Sequence, residues 1–127
     1  YLAEYGTVAE LAAAMITKIG FDKNKLVPIP TPAVNSDRTY ASAIEINKWL
    51  DSVDMNIESL DIYSLGPHSR RSWLLFHYVF APDKAVGIVA LVNRSYDSKR
   101  WWKTSNGVRT VISEAIAYFY ARFIFNP

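Results

Sequence analysis

Apolar positions recur at helical spacing over Val8, Leu11, Ala12, Met15, Ile16 and Ile19. That stripe predicts a helix from Thr7 to Ile19. Thr7 suits the N-cap, Glu10 stands three residues on as the partner of a capping box, and Gly20 ends the element. A polar turn follows over residues 21–25. Leu26 to Ile29 reads as a short strand, and Pro28 and Pro30 restrict it to a sheet edge or an extended connection. A loop with Pro32 leads into a second helix from Arg38 to about Val53, capped by Ser36 or Asp37. Its inner stripe is Tyr40, Ala43, Ile44, Asn47 and Leu50.

The later half alternates more sharply. Leu60 to Leu65 is an apolar run that predicts a buried strand, broken by Gly66-Pro67. A helix is expected from His68 to Phe80 and a turn over residues 81–84. Ala85 to Val92 is apolar without interruption, the pattern of a strand covered on both faces. Asn93 to Ser105 is a polar and aromatic loop. Ser105 or Asn106 caps a last helix that runs to about Phe125, with Val108, Val111, Ile112, Ala115, Ile116, Phe119 and Phe123 along one side. Helices alternating with strands imply right-handed crossovers and a mainly parallel sheet, hence an α/β domain.

Composition narrows the function classes. The 127 residues are 50% hydrophobic with a net charge of +2, which suits one globular domain and gives no basis for nucleic-acid binding. There is no cysteine, so disulfides and thiolate metal sites are excluded. The apolar runs are too short to span a bilayer, and no signal peptide is visible. Because the first residue is Tyr1 rather than Met, an upstream leader, anchor or half-domain is expected to have been removed. No glycine-rich phosphate loop, nucleophile elbow or zinc-protease pattern occurs. No cofactor or metal is implied.

The candidate chemistry lies at the turn after Leu65. In an open α/β sheet, ligands bind outside the carboxyl ends of the strands, where a helix N-terminus offers N–H groups and a positive dipole end. His68, Arg70 and Arg71 fall in that turn. They predict an anion site with His68 as the candidate acid–base group. Arg70 and Arg71 point about 100° apart on a helix, so one faces the crevice and the other solvent.

Four segments, in order, carry a family resemblance: Thr7-Val-Ala-Glu-Leu11, Asp37-Arg-Thr-Tyr-Ala-Ser-Ala43, Gly66-Pro-His-Ser-Arg-Arg-Ser72, and Trp101-Trp-Lys-Thr-Ser-Asn-Gly107 with Glu114 beyond it. They resemble the SanA/YdcF/ElyC-like family of bacterial proteins, a domain family of unknown function with a Rossmann-like fold. The resemblance implies a three-layer α/β/α domain. Its recurring sites would match His68, Arg71, Arg38 and Thr39. It also implies association with the bacterial cell envelope, through a membrane anchor only if one precedes this segment. The chain corresponds to the later part of that domain. The first strands and the two glycine turns with which members begin do not occur, and Ala43 and Ile44 stand where the family often has Asn. The chain is therefore expected to be either a fragment or a divergent member.

Each candidate has a plainer alternative. Arg71 matches the family position and is favoured for the ligand, with Ser72 beside it. Arg70 reads as the solvated surface charge of the two. Arg38 and Thr39 open the second helix, where Thr39 can donate to a phosphate oxygen, but Ser36 and Asp37 show that ordinary capping explains the same residues. Trp101 and Trp102, with Tyr96 and Arg100, form either a stacking platform or a loop packed by its own aromatics; the second is favoured. Glu114 is expected to pair with an arginine such as Arg71 or Arg109 rather than act as a base. Two readings follow. One is an envelope-associated protein binding a small phosphate-bearing or nucleotide-like ligand. The other is a non-catalytic interaction subunit whose open sheet edge is covered by a partner chain or by the missing upstream segment.

Overall fold

Thr7 caps the first helix, α1 (Val8–Lys18), through a reciprocal box. The Glu10 backbone N–H donates to Thr7 Oγ1 at 3.2 Å, and the Thr7 N–H donates to Glu10 Oε2 at 2.9 Å. Gly20, at φ +105°, ends it in a conformation that side chains disfavour. Val8, Met15 and Ile19, all on the apolar stripe, are exposed. A single 3₁₀ turn spans Lys23–Lys25. Leu26 to Ile29 is not a strand: no ladder pairs it among the described residues. Pro28 and Pro30 lack the N–H groups such a ladder would use. Asp37 caps α2 (Arg38–Ser52), accepting from the Thr39 N–H at 2.9 Å and the Tyr40 N–H at 3.3 Å. Ala43 and Leu50, from the inner stripe, are buried.

These helices belong to the first of two compact units, which meet in sequence between Asn56 and Ile57. The computed structural model describes residues 4–35 and 37–127. Ser36 therefore lies outside the described residues.

The second unit is a mixed helix–strand unit built on a parallel strand pair. Strands β1 (Ser59–Leu65) and β2 (Ala85–Leu91) align in register from Ser59 against Ala85 to Leu65 against Leu91. Helix α3 (His68–Phe80) connects them and packs on both. Three polar contacts fix it: Trp73 Nε1 donates to the Val86 carbonyl at 2.8 Å, Ser72 Oγ meets Ser64 Oγ at 3.2 Å, and the Tyr78 hydroxyl donates to the Ala121 carbonyl at 3.1 Å. The last bond reaches α4 (Ser105–Phe123), which packs on α3 and on a short 3₁₀ segment at Ser98–Lys103. Leu74, Leu75, Phe76 and Phe80 of α3 are buried, together with Tyr96 and Ala121. Gly87 faces Asp61 across the ladder, so close that a Cβ there would strike the Asp61 carboxylate.

Burial corrects two expectations. Exposure alternates along β1, so Leu60 to Leu65 is a strand covered on one face, not a buried one. In β2, Ile88, Val89 and Leu91 are exposed despite the unbroken apolar run, as is Val92 beyond its end. Val89 and Leu91 share the face to which the described residues of this unit bring no helical layer, whereas Ile88 lines the open cleft beside α3. A third correction is local. Thr104, not Ser105 or Asn106, caps α4, its Oγ1 accepting from the Gly107 N–H at 3.1 Å.

Candidate functional site

The chain leaves the carboxyl end of β1 through Gly66-Pro67 and enters α3 at once. Gly66 takes φ +53°, and a Cβ on it would stand 3.3 Å from the Asn93 Cβ, so the turn is tailored to glycine. The Gly66 N–H donates to the Leu91 carbonyl at 2.8 Å, which fastens the turn to the end of β2. Thr7, Asp37 and Thr104 cap the other three helices through side-chain oxygens, whereas Pro67 at the start of α3 has no such atom and no side chain caps that end. The first turn of α3 thus keeps the positive end of the helix dipole without a capping side chain, while the Ser69 N–H donates to the Gly66 carbonyl at 3.2 Å.

Ser69 stands in that first turn. It is 4% exposed, and among the described residues its Oγ has no hydrogen-bond partner. A buried hydroxyl without a partner costs about 1–3 kcal/mol, and most helical serines avoid this by bonding back to a carbonyl of the preceding turn.

A second cluster links α3 to α4. Arg71 Nε donates to Glu114 Oε2 at 3.0 Å, and Nη2 donates to Oε1 at 3.3 Å. His68 Nδ1 lies 3.1 Å from Glu114 Oε1 and 3.0 Å from Arg71 Nη2. Nδ1 cannot serve both neighbours in the same way: it accepts from the guanidinium when bare and donates to the carboxylate when protonated. The two groups therefore select between imidazole tautomers. Burial works to raise the Glu114 pKa, but the hydrogen bonds and charges of Arg71 and His68 outweigh it and hold the carboxyl below its ordinary range. Glu114 thus stays charged, and its charge is neutralised locally by Arg71.

Beside this cluster, α3, α4 and β2 enclose a cleft of about 620 Å³, a size ordinary for a small-molecule site. Gly66, Pro67, Ser69, Arg70 and Glu114 line it, together with Trp73, Ile88, Ala90, Val111, Ala115, Tyr118 and Phe119. The Arg70 guanidinium lies 5.7 Å from the centre of the Tyr118 ring and is in no ion pair among the described residues. With Arg71 and Glu114 cancelling each other, Arg70 leaves the cleft one positive charge in excess.

The structure thus gathers His68, Arg71 and Glu114 into one network, and Ser69, Arg70 and Glu114 into one cleft lining. Glu114 pairs with Arg71, one of the two arginines expected. Of the two arginines, Arg70 is the exposed one, as expected, and it borders the cleft, whereas Arg71 is 15% exposed and tied to Glu114. Ser72 is buried on β1 through Ser64, away from the cleft lining. Trp101 sits in the 3₁₀ segment, edge-on to Trp102 at 6.0 Å. Arg38 and Thr39 open α2 in the first unit. Sequence reasoning missed Ser69, Trp73, Tyr118 and Phe119. The signal for Ser69 was a helix start with proline where a capping side chain belongs.

Among the described residues no cluster of three His, Cys, Asp or Glu could hold a metal ion, and no helix is long and apolar enough to cross a membrane. No family model, no curated protein and no solved structure matches the chain.

Proposed function

We propose that this chain binds a small phosphate-bearing or other anionic ligand at the β1–α3 turn. One observation carries the reading: the uncapped N-terminus of α3, the partnerless hydroxyl of Ser69 and the unpaired guanidinium of Arg70 stand together at the carboxyl end of a parallel strand. An anion there gains from the helix dipole and a full positive charge at once. His68 adds an imidazole whose Nδ1 is held by Glu114 and Arg71, an arrangement that would suit proton transfer at a bound phosphate ester.

The wider reading rests on the resemblance. The β1–α3–β2 unit is proposed as the later part of a SanA/YdcF/ElyC-like, Rossmann-like three-layer domain at the bacterial cell envelope, with further strands completing the sheet. Calorimetric titration of the chain with inorganic phosphate and with adenosine monophosphate tests the site. Saturable binding of either, weakened at least tenfold in Arg70→Ala, is the expected result. Absence of binding to both overturns it.

A second reading draws on the exposed apolar residues of one face of the sheet, Tyr63, Leu65, Val89 and Leu91. Such a face suits cover by protein, and an interaction subunit would present it to a partner chain.

A further inference from the structure

We propose that the cleft of α3, α4 and β2 takes the carboxyl-terminal end of a peptide, laid as an added strand along the edge of β2 with its carboxylate at the start of α3. The inference rests on the anion reading above and names the chemistry of the ligand. Its first support is the strand ladder. The Ala85 N–H donates to the Glu58 carbonyl at 3.0 Å, and the Gly66 N–H donates to the Leu91 carbonyl at 2.8 Å. With the register from Ser59 against Ala85 to Leu65 against Leu91, these bonds fix the phase of the parallel pair. Ala85, Gly87, Val89 and Leu91 turn their backbone groups toward β1, and Val86, Ile88 and Ala90 turn theirs away from it. Among the described residues the sheet has two strands, so that second direction is an open edge. Trp73 Nε1 covers the Val86 carbonyl there at 2.8 Å. The N–H and C=O groups of Ile88 and Ala90 have no hydrogen-bond partner among the described residues, and both residues are exposed and line the cleft.

A row of alternating backbone donors and acceptors is matched by another extended backbone, which repeats every two residues as β2 does. Charge decides the direction. β2 runs toward the Gly66 turn, so a peptide parallel to it brings its carboxyl end to Ser69 and Arg70. There the carboxylate accepts from the Ser69 hydroxyl, which is buried without a partner, and meets the Arg70 guanidinium and the positive end of α3. An antiparallel peptide would set an ammonium against those same positive groups. The pleat then places the side chains. Ala90 pairs with Ser64, whose Oγ meets Ser72 of α3, so Ile88 and Ala90 stand on the α3 face of the sheet. Every second side chain of the added strand shares that face and enters the cleft, where Trp73, Val111, Ala115 and Phe119 offer apolar surface.

The test uses the full 127-residue chain and two acetylated pentapeptides with free carboxyl ends, Lys-Thr-Val-Thr-Val and Lys-Val-Thr-Val-Thr, whose valines fall in opposite phases. Binding is followed by heteronuclear NMR, with inorganic phosphate as the reference anion. The tighter peptide is expected to shift the amides of Ser69 and Arg70 and to slow hydrogen exchange at the Ile88 and Ala90 amides at least tenfold. The Val89 amide, which the ladder bonds to β1, should change much less. Amidation of the peptide's carboxyl end should weaken binding at least tenfold, and Arg70→Ala should weaken the acid at least fivefold without weakening the amide. Ala90→Pro removes an N–H that the β1 ladder does not use. It should weaken the peptide at least fivefold and leave phosphate binding unchanged. N-methylation at alternate peptide residues, in one of the two phases, should cause the same loss on the natural chain, which keeps the test decisive should Ala90→Pro fail to fold. Circular dichroism establishes the fold of each variant. Phosphate shifts at Ser69 and Arg70 without peptide protection of Ile88 and Ala90 overturn this inference while leaving the anion site intact. Equal binding of acid and amide overturns the placing of the carboxylate. Failure of phosphate and of both peptides to bind overturns both this inference and the function proposed above.

Discussion

Arg71 and Glu114 meet across 43 positions of sequence, with the Arg71 Nε donating to Glu114 Oε2 at 3.0 Å. The contact ties the start of α3 to the middle of α4 and sets the electrostatics of the turn between them. It neutralises the Glu114 carboxylate at the cleft, so that among the described residues the charge of Arg70 stands uncancelled beside Ser69. It also places two competing neighbours on His68 Nδ1. One ion pair thus has a structural consequence, the docking of α4, and a chemical one, an anion-attracting cleft.

The first prediction concerns acid. Glu114 is held below its ordinary value of 4.5 in the folded chain, while the unfolded chain returns it to that value. The folded state therefore binds fewer protons near that pH. The stabilisation is present in full above about pH 4.5 and is lost as the pH falls through the lower, folded pKa. Melting temperature measured from pH 7 to pH 3 should fall on the acid side for the natural chain. Glu114→Gln should cost about 1 kcal/mol at pH 7 and flatten the acid limb. An unchanged acid limb in that variant would show that the pair does not govern it.

Ser69 carries the opposite sign. Replacing a buried hydroxyl that has no partner by a methyl hydrogen removes an unsatisfied group, so Ser69→Ala should leave the ligand-free chain as stable or raise its stability by about 1 kcal/mol. Urea unfolding checks this. A loss of stability would mean that the hydroxyl is bonded in the free protein.

The fold was legible where the local signal is strong. The Thr7 box, the Gly66-Pro67 break and the helix from His68 to Phe80 are written in neighbouring residues, and the structure has them. The parallel pairing of β1 with β2 followed from the intervening helix, which supplies the crossover that such strands need. Burial was not legible, because an apolar run such as Ala85–Val92 records what could cover a strand and not what does. The cleft was half legible. His68, Arg70 and Arg71 announce a charged turn, but two adjacent arginines look alike in sequence. Only the distant position of Glu114 decides that Arg71 is paired and Arg70 free of an ion pair. Tyr118 and Phe119 belong to the cleft for the same reason: α4 folds back on α3, and nothing local to residues 66–73 records it.

Gly107 tests that docking from the other end of α4. A Cβ there would strike the Trp101 carbonyl and lie 2.9 Å from Thr104 Oγ1, the atom that caps the helix. Gly107→Ala should therefore cost about 1–3 kcal/mol even though alanine is the better helix former, because the backbone of the 3₁₀ segment must move. Thermal unfolding of the variant measures it. A neutral or stabilising effect would contradict the close approach.

The central claim, an anion held at the start of α3, is tested most directly by following the backbone amides during titration with inorganic phosphate at pH 7. The account predicts saturable shifts centred on His68, Ser69 and Arg70, and their loss in Arg70→Ala over the same concentration range. Shifts that do not saturate, or that centre on residues away from the β1–α3 turn, would contradict it.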